Sequence, residues 1–81
     1  MNSRNRNHSV EIWIEGSLKK YLESQQPIIV QPGRTIYQEL SDLNIQFSQP
    51  LVALVNGSAT DIHNKLYPGD IVKILPVISG G

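Results

Sequence analysis

Residues 10–15 (VEIWIE) alternate strictly between two sets of side chains, and this alternation constrains the fold more than any other feature of the sequence. The first set is Val10, Ile12 and Ile14, and the second is Glu11, Trp13 and Glu15. A period of two with β-branched residues is typical of a strand that buries one face. The chain has 81 residues and no cysteine, so no disulfide stabilises it and its own apolar residues must cover that face.

One segment has the signals of an amphipathic helix. Pro32-Gly33 predicts a turn, and Thr35 followed by Gln38 predicts a capping box that opens a helix. The apolar stripe of that helix is Ile36, Leu40 and Leu43. Asn44 is a suitable left-handed stop. We expect this helix to cover the buried face of the sheet.

The remaining elements are short. We predict one or two helical turns over residues 17–22 and strands over 27–31, 51–55, 58–61 and 71–75. The nearly continuous apolar run at 51–55 indicates a central strand, Asn56-Gly57 indicates a hairpin, and Leu66 is expected in the core. One helix on a small mixed sheet is an α+β arrangement, and the ubiquitin-like β-grasp fits best. We expect a disordered arm at 1–9, the β-grasp domain at 10–76 and a flexible Gly-Gly tail at 77–81.

Charge and hydropathy exclude several classes of partner. Seven Lys and Arg balance seven Asp and Glu, giving a net charge of zero. Nucleic-acid binding requires a basic stripe, so no nucleic-acid partner is expected. The apolar runs are too short to cross a bilayer and no secretion signal is evident, so we expect a cytoplasmic protein with no membrane partner.

The sequence offers no catalytic constellation. His63 lies two residues after Asp61, but no nucleophile is near it in sequence, and neither it nor His8 has a second histidine at metal-ligand spacing. Glu11 and Glu15 are too far apart on one strand to share a proton. The prediction is therefore a protein that is not an enzyme, with no metal and no bound cofactor.

The final Gly80-Gly81 pair suggests a chemical role. Glycine has no side chain and permits nearly all backbone angles, so such a tail can enter a narrow channel in another protein. A carboxylate becomes electrophilic once it is adenylated. We therefore expect the Gly81 carboxylate to be the reactive group.

Several motifs resemble the MoaD/ThiS family of sulfur carriers. In the second half of the chain they are Val55-Asn56-Gly57, Leu66, Gly69-Asp70, Pro76-Val77 and Gly80-Gly81. Near the N-terminus, Gly16-Ser17-Leu18-Lys19-Lys20 resembles a segment that follows the first strand in small subunits of molybdopterin synthase. The chain departs from the family pattern at Glu15, at Lys19 and in its single proline before the tail. The predicted turn at 18–22 favours the molybdopterin branch.

The resemblance implies a function that depends on partners. An adenylyltransferase related to ubiquitin-activating enzymes would adenylate Gly81, using ATP and magnesium that it binds itself, and a sulfur donor would convert the adenylate to a thiocarboxylate. The tail residues Val77, Ile78, Ser79 and Gly80 would then enter the large subunit of molybdopterin synthase. Alternatives are sulfur delivery to thiamine thiazole or to tRNA, a protein modifier that forms an isopeptide bond through Gly81, and a plain binding module.

A docking face follows from the strand pattern. If Val10, Ile12 and Ile14 face the helix, Trp13 projects from the other side of the sheet. In a β-grasp the first and last strands are neighbours, so we expect an exposed Trp13 to share a face with other outward residues. The expected members of this face are Trp13, Glu15, Ile71, Lys73 and Leu75, with Ala59 on the rim. An exposed tryptophan beside apolar residues is typical of an interface.

Overall fold

Five strands, one α-helix and one 3₁₀-helix form the part of the chain that the structure describes. The computed structural model describes residues 8–21, 26–44 and 50–77. The elements in chain order are β1 (Val10–Ile14), the 3₁₀-helix (Gly16–Tyr21), β2 (Ile28–Val30), α1 (Ile36–Asp42), β3 (Leu51–Val55), β4 (Ser58–Thr60) and β5 (Ile71–Pro76). The predicted arm at 1–9 and tail at 77–81 lie almost entirely outside these ranges and stay predictions.

The strands form one mixed sheet in the order β2-β1-β5-β3-β4. β1 runs parallel to β5, with Glu11 opposite Ile71, and the other neighbouring strands are antiparallel. The first and last strands are therefore adjacent, as the β-grasp prediction requires. With α1 packed on one side of the sheet, the architecture is the predicted α+β arrangement.

One apolar cluster joins the sheet to the helix. Its members are at most 2% exposed, and they are Val10, Ile12, Ile14, Leu18, Ile36, Leu40, Ala53, Leu66, Val72 and Ile74. The alternation of residues 10–15 is confirmed, since its three apolar members are completely buried. Leu66 lies in the core as predicted, although it comes from an irregular connection.

The capping box of α1 is confirmed. The Thr35 Oγ1 accepts a hydrogen bond from the Gln38 N–H at 3.1 Å, and the Gln38 Oε1 accepts one from the Thr35 N–H at 2.8 Å. These two bonds satisfy donors that the first helical turn leaves without intrahelical partners. Asn44, after the helix, has a φ of 60°, which is the predicted left-handed stop.

Two segments differ from the prediction in type or length. The segment expected to be helical at 17–22 is a 3₁₀-helix that begins at Gly16, and Leu18 anchors it in the core. The 3₁₀ geometry is frequent in segments that connect two elements, as this one connects β1 to the segment before β2. The strand expected at 27–31 is limited to Ile28–Val30. Ile45 and Phe47, which the sequence predicts to fold back over the end of α1, lie outside the described residues.

β3 is an internal strand of the sheet, as its apolar run predicted. It lies between β5 and β4, and β5 is the middle strand. Only Ala53 of β3 is fully buried, whereas Val52 is exposed and Leu54 half-buried. The continuous apolar run therefore arises because β3 also supplies apolar residues to the side of the sheet opposite α1.

Candidate docking face and tail root

The side of the sheet opposite α1 is called the outer face. Because strand neighbours in register share a face, the pairing of β1, β5, β3 and β4 defines its middle row. This row is Trp13, Lys73, Leu54 and Ala59. Tryptophan and lysine thus share one face, as the sequence pattern predicted, and the register places them side by side on adjacent strands.

Two further rows flank the middle row. On one side lie Ile29, Glu11 and Ile71. On the other side lie Glu15, Leu75 and Val52. Glu15 follows the end of β1 and keeps its alternation, since its N–H donates to the Ile74 carbonyl at 2.9 Å. The structure therefore brings all six sequence-predicted face residues to one side of the sheet.

The outer face is more apolar than the sequence reasoning suggested. Ile29 is 56% exposed, Ile71 43% and Val52 36%. Sequence reasoning missed Ile29, Val52 and Leu54, although a signal for them existed. Strand segments that are apolar at every position, such as 28–30 and 51–55, supply apolar residues to both faces of a sheet.

Trp13 is less exposed than predicted. Its side chain is half-buried, and its indole Nε1–H donates to the Glu11 Oε1 at 3.3 Å. Side chains two residues apart on one strand lie on the same face, which brings this carboxylate to the indole. Part of the Trp13 surface stays open, and its one N–H is already satisfied.

β5 leads directly into the tail. Val77 N–H donates to the Pro50 carbonyl at 3.0 Å. The residue before Val77, Pro76, is closely approached by Gly16: a Cβ added to Gly16 would lie 3.1 Å from the Pro76 Cγ. The backbone of Val77 is therefore held at the end of the sheet. The other predicted tail residues, Ile78, Ser79, Gly80 and Gly81, lie outside the described residues.

We expect Gly16→Ala to lower the free energy of unfolding by more than Gly57→Ala does. Both glycines have positive φ, at 63° and 88°, but only Gly16 has a neighbour in the way of a Cβ. Overpacking costs about 1–3 kcal/mol, so the difference between the two variants in urea unfolding measures the contact with Pro76. Adding Pro76→Ala to Gly16→Ala should recover much of that difference. Equal losses of unfolding free energy for Gly16→Ala and Gly57→Ala would show that only the positive φ of Gly16, and not its contact with Pro76, requires a glycine.

Two sequence motifs meet at the start of β5. The Asn56 Nδ2 donates to the Asp70 Oδ1 at 2.9 Å, and the Asn56 Oδ1 accepts from the Ile71 N–H at 3.0 Å. The other oxygen of Asp70 accepts from the Tyr67 N–H at 2.9 Å. The Asn56-Gly57 and Gly69-Asp70 pairs thus join the β3–β4 hairpin to the loop before β5. This network fixes the beginning of the strand that carries Ile71 and Lys73 on the outer face.

His63 is not oriented by Asp61. The Asp61 Oδ1 accepts from the His63 backbone N–H at 2.7 Å, so the carboxylate closes a local turn. The imidazole instead faces Tyr37, with ring centroids 5.3 Å apart. Within 8–21, 26–44 and 50–77, no group of three or more metal-ligating side chains lies close enough to hold an ion.

Glu39 is the one charged residue that is buried among those described. Burial raises the pKa of its carboxyl, and Arg34, whose Nε lies 3.9 Å from its Oε2, lowers it in part. The guanidinium also contacts Asp42 at 2.6 Å, and that hydrogen bond lowers the pKa of Asp42. These residues belong to α1 and to the turn before it, on the side of the sheet away from the outer face.

A shallow depression lies along the edge strand β4. Its volume is about 660 Å³, and its walls come from residues 50–53 and 59–63. It is open to solvent and holds no pair of acid and base groups beyond Asp61 and His63.

Among the described segments, no helix is long and apolar enough to cross a membrane.

Comparison with protein families identifies a family that covers most of the chain. The model of the ThiS family matches residues 12–81. That stretch includes Trp13, the outward-facing residues of β5 and Val77, where the tail begins. A search of the curated proteins finds no match.

Proposed function

The chain belongs to the ThiS family of small sulfur carriers, and from that premise we propose that it carries sulfur as a thiocarboxylate on Gly81 for molybdopterin synthesis. Members of the family generally interact with activating enzymes and with enzymes that accept the sulfur. In this proposal the chain is the small subunit of molybdopterin synthase and is not itself a catalyst. Its fold serves as the handle by which the partners hold the reacting terminus.

The proposed chemistry takes place at the Gly81 carboxylate. One carboxylate oxygen attacks the α-phosphorus of ATP on a ubiquitin-activating-enzyme-like adenylyltransferase, and pyrophosphate leaves. Sulfide released by the sulfur donor then attacks the acyl carbon, AMP leaves with the former carboxylate oxygen, and loss of the remaining S–H proton gives the thiocarboxylate. ATP and magnesium belong to the activating enzyme in this scheme.

The arrangement of β5 is the observation that carries the proposal. This strand presents Ile71, Lys73 and Leu75 on the outer face and continues into Val77 at the end of the sheet. The four residues after Val77 reach about 13 Å when extended. A partner that binds the outer face therefore has the tail beside its contact surface, within reach of a recessed active site.

The short helix after β1 supports the molybdopterin branch. The 3₁₀-helix Gly16–Tyr21 packs Leu18 into the core and contacts β5, where Gly16 lies against Pro76. The resemblance associates such a segment with small subunits of molybdopterin synthase. A second candidate is sulfur delivery to thiamine thiazole, which uses the same thiocarboxylate and differs in the acceptor.

Intact-mass spectrometry tests the carrier role. The protein is purified from its own cells and also incubated with ATP, its activating enzyme and a sulfur donor. We expect a mass gain equal to the exchange of one oxygen for sulfur, localised to Gly81 by fragmentation. An unchanged terminus with an activating enzyme of proven competence would contradict the proposal, and lysine adducts of Gly81 would identify a protein modifier instead.

The acceptor is then tested with the thiocarboxylated protein. It is mixed in parallel with the large subunit of molybdopterin synthase and its pterin precursor, and with thiazole synthase and its substrates. Loss of sulfur from Gly81 with formation of a dithiolene supports the molybdopterin branch. Loss of sulfur only in the thiazole reaction would assign the chain to the second candidate.

We expect Trp13→Ala to weaken binding of the activating enzyme by about 2 kcal/mol or more, because large aromatic residues in the centre of an interface contribute most of its binding energy. The measurement is a calorimetric titration of the activating enzyme. Tyr37→Ala is the matched control, since Tyr37 is an exposed aromatic residue on α1, on the other side of the sheet. An unchanged Kd for Trp13→Ala would exclude the outer face as the docking surface.

A further inference from the structure

Lys73 lies at the centre of the outer face. It belongs to the middle strand of the sheet, and its register partners are Trp13 on β1 and Leu54 on β3. Along β5 the next outward residues are Ile71 and Leu75. An exposed ammonium is therefore bordered by apolar or aromatic side chains in all four directions on the sheet surface.

No carboxylate of the described segments forms an ion pair with Lys73. The ion pairs found there all involve Arg34, which is on the other side of the sheet. Glu11 and Glu15 lie diagonally across from Lys73, one row away on β1, and the Glu11 carboxylate accepts from the indole of Trp13. Solvent therefore stabilises the charge of Lys73 as long as no partner covers the outer face.

A partner that covers this face removes that solvent. Burying an ammonium without a counter-charge costs several kcal/mol, and the cost falls only if the partner supplies a well-placed acceptor. None of the four side chains that border Lys73 can take that role, and the nearest carboxylates, Glu11 and Glu15, lie a row away and form no ion pair with it. A lysine at the rim of an interface can stay hydrated, but this one lies in the middle row.

We propose that the activating adenylyltransferase presents one aspartate or glutamate opposite Lys73, in the centre of an otherwise apolar contact. The inference rests on the proposed function and deepens it by naming the chemistry of the partner's surface. Lys73 is then a residue that determines specificity, because a partner with an apolar or basic residue at that point would bury an unpaired charge. The apolar rows supply contact area, and the ion pair selects the partner.

The test compares three lysine variants in titrations with the activating enzyme. Lys73→Met removes the charge and keeps an apolar stem, and Lys73→Glu reverses the charge. Lys65→Glu is the matched control, because Lys65 is an exposed lysine in the loop that pairs with Thr35 at the start of α1. We expect Lys73→Met to raise Kd about 30-fold or more, as for one partner of a buried ion pair. We expect Lys73→Glu to raise it further and Lys65→Glu to change it about twofold at most.

A charge exchange identifies the partner residue. Each carboxylate on the docking surface of the activating enzyme is changed to lysine in turn and tested against Lys73→Glu. Recovery of binding with one of these variants supports the proposal and names the residue. Melting temperatures of all the carrier variants are measured, and we expect them to match the unaltered protein because Lys73 is exposed.

Failure of the inference differs from failure of the proposed function. If the unaltered protein is adenylated and Lys73→Met binds as tightly as it does, the paired carboxylate is refuted while the carrier role stands. If the unaltered protein is neither bound nor adenylated, the proposed function itself fails. Sedimentation of the protein alone tests whether a second copy of this chain covers the outer face. A dimer that Lys73→Glu dissociates would overturn the assignment of this face to the activating enzyme.

Discussion

Deletion of Gly81 is expected to abolish thiocarboxylate formation completely while leaving the fold unchanged. The reacting carboxylate would then belong to Gly80 and lie one residue, or about 3.5 Å, short of the position where it meets ATP. Catalysis depends strongly on such placement. Addition of one alanine after Gly81 should have the same effect, because it moves the carboxylate too far and adds a Cβ next to it.

The measurement is the intact mass after incubation with ATP, the activating enzyme and a sulfur donor. Ser79→Ala is the matched control, since it alters the tail but keeps its length and its terminal glycines. It should become thiocarboxylated at close to the normal rate. Thermal unfolding of the deleted variant should coincide with that of the full chain, because every core residue in the part of the chain that the structure describes lies within or before β5. Sulfur on the shortened terminus, or a lost fold, would contradict the assignment of Gly81.

Ile12→Ala is expected to lower the free energy of unfolding by about 2–5 kcal/mol, the range for truncation of a large core residue. Ile12 is completely buried and pairs in register with Ile28 on one side and Val72 on the other. Removal of the end of its side chain leaves a cavity between β1, β5 and α1. For a domain of this size, such a loss is a large part of the total stability.

Ile29→Ala is the matched control for Ile12→Ala. It removes the same atoms from a strand next to β1, but from a side chain on the outer face that is 56% exposed. We expect its free energy of unfolding to change by about 0.5 kcal/mol or less. Both variants are compared by urea unfolding at constant pH. A larger loss for Ile29→Ala than for Ile12→Ala would mean that the two faces of the sheet are assigned the wrong way round.

The elements that sequence reasoning predicted correctly have short-range causes. The capping box joins Thr35 and Gln38, three residues apart, and the alternation of β1 is complete within six residues. Asn56-Gly57 forms its hairpin because both residues adopt positive φ, at 51° and 88°. Such features depend on covalent neighbours, so they are visible without knowledge of the fold.

Features missed at the sequence level depend on contacts between distant residues. The hydrogen bonds of Asn56 to Asp70 and Ile71 bridge 14 and 15 residues, and no local pattern indicates them. The half-burial of Trp13 and the tight approach of Gly16 to Pro76 also depend on packing between elements. The predicted roles of Gly81 and of the docking face stay predictions until the experiments above are made.

Sequence alone determined the strands, the main helix, the inward set of apolar residues and, through its motifs, the resemblance to the sulfur carriers. These follow from periodicity and capping, which act over a few residues. Tertiary structure decided which outward residues become neighbours. Trp13, Lys73 and Leu54 share a row only because β1 and β3 pair with opposite edges of β5 in one particular register. A shift of one residue would turn each side chain to the other face, and the inward apolar residues prevent that shift because they must stay in the core.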